Sequence, residues 1–134
     1  MRPNEPELHN LFVYGSLVDP GRLDDVLGRP FEGERLRARL TGFRRIAPAV
    51  YPFPFLVEAP GEVVDGILIV GLDTQDLKKL DEYEEVAAEV YSRVEVEVEA
   101  WGCGPRPTAF RACTYVGGAA LLRVLGPAAP STTW

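Results

Sequence analysis

Histidine is nearly absent from this chain: His9 is the only one among 134 residues. A Ser–His triad would have to use it, close to the N-terminus, and no third group is at hand. Cysteine is almost as scarce. Cys103 and Cys113 lie ten residues apart with no CxxC arrangement, so a zinc site of the usual Cys/His kind lacks its ligands and no metal is expected. Lysine is confined to Lys78 and Lys79, which leaves arginine to carry almost all the positive charge. No apolar run approaches the length of a membrane span, and residues 1–6 hold no signal-peptide core. The expectation is a cytoplasmic protein with no membrane partner, the redox state of its two thiols and its oligomeric state left open.

What is present is close to the average of a globular chain, with 46% hydrophobic and 25% charged residues. One domain over residues 1–134 is expected, with a core from about 11 to 117 and a loose C-terminal tail. The 13 Gly and 12 Pro fall between apolar runs rather than in one tract. Lys+Arg 14 against Asp+Glu 20 gives a net charge of -6, an acidic balance that repels phosphate backbones and argues against nucleic acid as a partner. The chemistry left to this chain rests on carboxylates, tyrosines, arginines and backbone amides, without a cofactor.

Leu11-Phe12-Val13-Tyr14, stopped by Gly15, reads as a buried strand with a turn at Gly15-Ser16. Asp19-Pro20 then reads as an N-cap followed by proline at the first helical position, and Gly28 with Pro30 ends that helix. Strand, glycine turn and helix in that order put backbone N–H groups around Gly15–Leu17, where an anion can be held. From Arg35 to Ile46, Arg35, Arg37 and Arg39 alternate with Leu36, Ala38 and Leu40, a half-buried strand with a solvated basic face. Pro48 to Pro60 reads as an irregular loop or edge, and Val63–Leu72 as a strongly apolar strand.

Asp73 caps the clearest helix, with Asp76 near the capping-box position. Leu77 and Leu80 define its apolar stripe, and Glu84 falls on that stripe while Lys78, Lys79, Glu82 and Glu85 point to water. An ionised carboxylate resists such a place unless paired, so Glu84 demands an explanation. Val90–Glu99 alternates strictly, with Tyr91, Arg93, Glu95, Glu97 and Glu99 on the polar side. After a Gly102-Cys103-Gly104-Pro105 turn, Thr108–Val116 is the return strand, with Arg111 near Glu97. A short helix over Ala119–Leu125 follows.

Three features then combine: Phe12-Val13-Tyr14-Gly15-Ser16-Leu17 near the N-terminus, Leu80-Asp81-Glu82-Tyr83-Glu84 at the helix end, and Tyr91-Ser92-Arg93 after it, with Ala112-Cys113-Thr114-Tyr115-Val116 closing the pattern. In this order the chain resembles the gamma-glutamylcyclotransferase-like superfamily, which includes gamma-glutamylamine cyclotransferases and plant avirulence-induced proteins. The resemblance implies an α+β fold, a small mixed β-barrel with flanking helices. It implies release of 5-oxoproline and a free amine from a gamma-glutamyl amide, amine or peptide, an intramolecular acyl transfer with a small-molecule substrate. It puts the catalytic acid/base on Glu84. Substrate binding falls to Tyr14, Gly15, Ser16 and Leu17 through main-chain amides, with Tyr91 and Tyr115 lining the cavity.

Where that family often has glycine after the catalytic glutamate, this chain has Glu85; helical phase favours Glu84 of the two acids. Ser16 as a nucleophile is the sharper rival for the turn, weakened by the lack of a histidine. Arg93 is either a clamp for a substrate carboxylate or a structural partner of an acid. A non-catalytic binding or interaction module of the same fold is the alternative from another class, and acyl transfer to another acceptor is a third reading.

Overall fold

Alternating segments of this chain become long antiparallel strands, and its two capped segments become helices. The computed structural model describes residues 8–47, 54–102, 104–120 and 122. The strands are β1 (Leu8–Val13), β2 (Glu34–Ile46), β3 (Phe55–Asp73), β4 (Tyr91–Trp101) and β5 (Thr108–Gly117). Helix α1 (Pro20–Leu27) lies between β1 and β2, and α2 (Thr74–Tyr83) between β3 and β4. The sheet closes into a barrel in the order β1-β3-β2-β4-β5. Four junctions pair neighbours antiparallel, and the fifth, β1 beside β5 at Leu11 and Cys113, is parallel and shuts the ring. The α+β expectation of a small mixed barrel with flanking helices holds.

The barrel gives β1 two buried faces. Phe12 points inward with Leu40, Leu56, Leu68 and Val98. Leu11 and Val13 point outward under the helices, with Leu23, Leu27, Ile69, Leu77 and Leu80. This is why the run at Leu11 is continuously apolar rather than alternating. Gly66 of β3 lets the two strands approach: a Cβ there would lie 2.3 Å from the Val13 carbonyl and 2.7 Å from the Phe12 ring.

Both helix caps form as expected. The Asp19 side chain accepts from the Gly21 amide, and α1 ends at Gly28 in the left-handed conformation that glycine adopts freely. Asp73 and Asp76 form the reciprocal capping box of α2. Asp76 is buried to 1% exposure and also pairs with Arg29. Lys79, expected to face only water, donates from Nζ to the Leu27 carbonyl at 2.7 Å and so closes the end of α1.

Three local expectations need correction. The stretch read as a loop up to Pro60 is strand from Phe55 onward, because Phe55–Glu58 pairs with Phe43–Ile46. The irregularity lies after Glu58, where the register shifts opposite Gly42 and Pro60 has no ladder bond to donate; residues 48–53 lie outside the described residues. Tyr91 does share a face with Arg93 and Glu95, yet it is buried, because the outer barrel face at that level is roofed. Arg111 does stand opposite Glu97, but its ion pair is with the diagonal neighbour Glu95 at 3.3 Å.

On the basic face of β2 Arg37 and Arg39 are exposed over the Trp101 ring, with Arg39 bonded to Asp65, while Arg35 is half-buried over the Phe31 ring. Of the expected C-terminal helix, residues 119, 120 and 122 are helical, and the proposed tail lies outside the described residues. Among the described residues no helix is long and apolar enough to cross a membrane.

Candidate active site

The site is built where β1 stops. Beyond Val13 the chain turns at Gly15 into a single 3-10 turn, Ser16–Val18, which leads into α1. The turn is closed by the amides of Val18 and Asp19, which donate to the carbonyls of Gly15 and Ser16 at 3.0 and 3.2 Å. The amides of Gly15, Ser16 and Leu17 donate to no backbone carbonyl among the described residues. They are the unused donors that the first turn of any helix leaves.

A pocket of about 250 Å³ opens beside this turn. Tyr14, Gly15, Ser16 and Leu17 form one part of its lining, with Phe12 and Val13 leading into them. Tyr83, Glu84 and Glu85 come from the end of α2, Tyr91 from β4, Tyr115 from β5, Pro54 from the approach to β3 and Arg22 from α1. All seven residues singled out in the sequence therefore meet around one cavity, although they span positions 14 to 115.

Glu84 is not inside the helix as its spacing suggested. Helix α2 ends at Tyr83 and Glu84 is its C-cap, its amide still bonded to the Leu80 carbonyl at 2.9 Å. The stripe that buries Leu77 and Leu80 runs off the helix end and delivers Glu84 to the pocket instead of the core. No arginine or lysine pairs with it among the described residues. Burial alone pushes its carboxyl up to about 7, because removing water penalises the charged form. Glu85 is exposed but also lines the pocket, in a left-handed conformation with φ 55°.

The tyrosines knit the walls together. The Tyr14 hydroxyl donates to the Tyr115 carbonyl, and the Tyr91 hydroxyl to the Pro54 carbonyl at 2.9 Å. The Tyr83 and Ser16 hydroxyls are 2.9 Å apart, and Arg22 donates to the Tyr83 oxygen at the same distance. Among the described residues the hydrogen-bond partner of Ser16 is a tyrosine hydroxyl and not a histidine or carboxylate, so the base-to-serine bond that activates a nucleophile is not formed. Tyr115 donates to Asp81 Oδ1 at 2.7 Å, and Arg93 Nε stands 3.6 Å from the same oxygen. Arg93 is therefore a structural partner of an acid, outside the pocket lining.

Sequence reasoning passed over Arg22, Tyr83 and Asp81 as site residues. Asp81 and Tyr83 stood inside the quoted helix-end motif without a role, and only the fold shows that their partners are Tyr115 and Ser16. Nothing in the local pattern around Arg22 marks it.

A closed five-stranded mixed barrel with two helices beside such a pocket is the gamma-glutamyl cyclotransferase-like fold. The solved structure of a gamma-glutamyl cyclotransferase superposes with a TM-score of 0.67 over 83% of this chain and 67% of its own, at 20% identity, a likeness of fold. The solution structure of an Arabidopsis thaliana protein superposes with a TM-score of 0.69 and 29% identity, over 87% of this chain and 66% of that one. In sequence, the chain is 31% identical to Protein AIG2 C of Arabidopsis thaliana over 111 residues, 75% of this chain and 66% of the relative. The chain spans about two thirds of the length of these relatives. Residues 11–134 match the family described as gamma-glutamyl cyclotransferase, AIG2-like, and the chain belongs to that family.

Proposed function

We propose that this protein cyclises a small gamma-glutamyl amide, amine or peptide, releasing 5-oxoproline and the amine that was attached. The observation that carries the reading is Glu84: a carboxyl with no ion-pair partner among the described residues, held near pH 7 by burial, in a pocket shared with the Tyr14–Leu17 turn.

The reaction joins the substrate's alpha-nitrogen to its own gamma-carbonyl carbon and breaks the bond from that carbon to the leaving nitrogen. The attacking nitrogen begins as an ammonium and ends with one hydrogen. Two protons therefore pass to the leaving nitrogen, which departs as an ammonium. Glu84 takes each from the first nitrogen and gives it to the second, a task for a group whose pKa lies near the working pH. The amides of Gly15, Ser16 and Leu17 bind the gamma-glutamyl carboxylate or the oxyanion that develops at the carbonyl. Tyr91 and Tyr115 wall the pocket and hold the chain in the folded-back conformation that brings amine and carbonyl together.

The test is a panel of gamma-glutamyl amines, amides and dipeptides assayed for 5-oxoproline, run beside Glu84→Gln. Turnover of at least one substrate, lost in the variant, is expected. Equal turnover in the variant removes the mechanism, and no turnover across the panel favours a binding module.

A further inference from the structure

The four tyrosines that share a pocket with Glu84 raise a question of direction. A phenol owns one proton, and each one given to a protein acceptor cannot be given to the carboxylate. Tyr14 and Tyr91 spend theirs on the Tyr115 and Pro54 carbonyls, and Tyr83 is engaged with Ser16 and Arg22. Tyr115 is the informative case. Its hydroxyl donates at 2.7 Å to Asp81 Oδ1, and Asp81 is absent from the pocket lining. Asp81 sits one helical turn before Glu84, and Arg93 of β4 stands 3.6 Å from the same carboxylate oxygen. We propose that Asp81 is a positioning residue: it captures the Tyr115 proton so that the phenol presents only acceptor lone pairs to the pocket and does not donate to Glu84.

Two consequences follow from that direction. A hydroxyl free to donate to Glu84 would favour its charged form and draw its pKa down. An acceptor oxygen, by contrast, fits an N–H of the substrate's ammonium; this part rests on the cyclisation reading. Among the described residues, the other charged or titratable groups around Tyr115 and Glu84 are Arg93 on β4, Cys113 on β5, and Arg22, Tyr83 and Glu85 around the pocket.

The experiment follows the Glu84 carboxyl by carbon-13 NMR in substrate-free protein, the signal assigned by its loss in Glu84→Gln. Wild type is compared with Asp81→Ala, Tyr115→Phe and the double variant, with kcat/KM for 5-oxoproline release measured over the same pH range. Asp81→Ala is expected to lower the Glu84 midpoint by about one pH unit, with the acid limb of kcat/KM moving alike. The shift should vanish when Tyr115→Phe is added. An unmoved midpoint in a folded Asp81→Ala protein overturns the proposal, as does a shift that survives in the double variant. If Asp81→Ala does not fold, Tyr115→Phe alone decides. A midpoint within a few tenths of wild type supports the assignment, and a rise of a unit overturns it by showing that the phenol donates to Glu84. The midpoint needs no turnover, so absence of 5-oxoproline would count against the cyclisation reading while these results still judge Asp81.

Discussion

The two ends of α2 each carry a buried or half-buried acid, and they use it in opposite ways. At the N-terminal end Asp76 is surrounded by partners: the Asp73 amide donates to it at 3.0 Å, and Arg29 pairs with it. At the C-terminal end Glu84 has burial and no ion pair among the described residues. A satisfied buried charge ties elements together, here the start of α2 to the loop after α1. An unsatisfied one destabilises the fold and persists where it serves chemistry. Helix direction sharpens the contrast, because the N-terminal dipole welcomes an anion and the C-terminal dipole does not. One ten-residue helix thus anchors at its start and presents an acid at its finish.

The largest effect that separates the two ends is on turnover. Glu84→Gln is expected to lower 5-oxoproline release by about 10³-fold, within the range of a lost general base. Asp76→Ala should leave kcat within a few-fold in the folded fraction. The reverse holds for stability in denaturant. Asp76→Ala is expected to cost about 3 kcal/mol, because it removes a capping-box acceptor and leaves Arg29 without its carboxylate. A loss under about 1 kcal/mol would mean that the anchor is ornamental.

Stability against pH gives the same contrast with opposite sign. Glu84 titrates near 7 in the folded protein and near its ordinary 4.5 when unfolded. Below the lower value both states are protonated and burial carries no penalty. Between the two values the unfolded state ionises first, so stability falls as pH rises and levels off above 7. Glu84→Gln is therefore expected to match wild type at pH 4 and to exceed it at pH 8 by up to about 3 kcal/mol. Thermal unfolding at the two pH values checks this; an equal difference at both contradicts the desolvated carboxyl. Asp73, held below the usual carboxylate range by the Asp76 amide, contributes in the other direction, and its stabilisation is lost as pH falls through its folded value.

Smaller effects test the walls of the pocket. Tyr83→Phe removes the hydroxyl that joins Ser16 to Arg22, and a rise in KM of about tenfold, with stability changed by about 1 kcal/mol, is expected. Kinetics indistinguishable from wild type would detach that bridge from the site. Smallest of all is Arg111→Ala on the exposed outer face of the barrel. Its ion pair with Glu95 joins side chains 83% and 75% exposed, and denaturant titration should find a change within about 0.5 kcal/mol.

The ends of α2 also mark where sequence reasoning was strong. Asp73 and Asp76 are local signals, three residues apart, and the cap they announced is formed. Strict alternation located β4, where a slip of one residue would turn every valine outward, and the Gly102–Pro105 turn signal located β5 and its register. Alternation names a face but not what covers it, so Tyr91 read as a polar-side residue and proved buried. The prolines between 52 and 60 hid the first part of β3, whose pairing with β2 depends on residues some dozen positions away. At the site, Glu84 was legible because it broke the pattern of Leu77 and Leu80. Asp81 and Tyr83 broke no pattern; their partners Tyr115 and Ser16 lie 34 and 67 positions distant, and only chain closure brings them in.

The pH dependence of kcat/KM for 5-oxoproline release tests the central claim most directly, since it reads the protonation state of the free enzyme's essential base. With Glu84 as that base, kcat/KM should fall about tenfold per pH unit below an acid limb near 7. A profile flat from pH 5 to pH 8 would contradict the claim, because a carboxylate with that titration could not be the group that takes the proton.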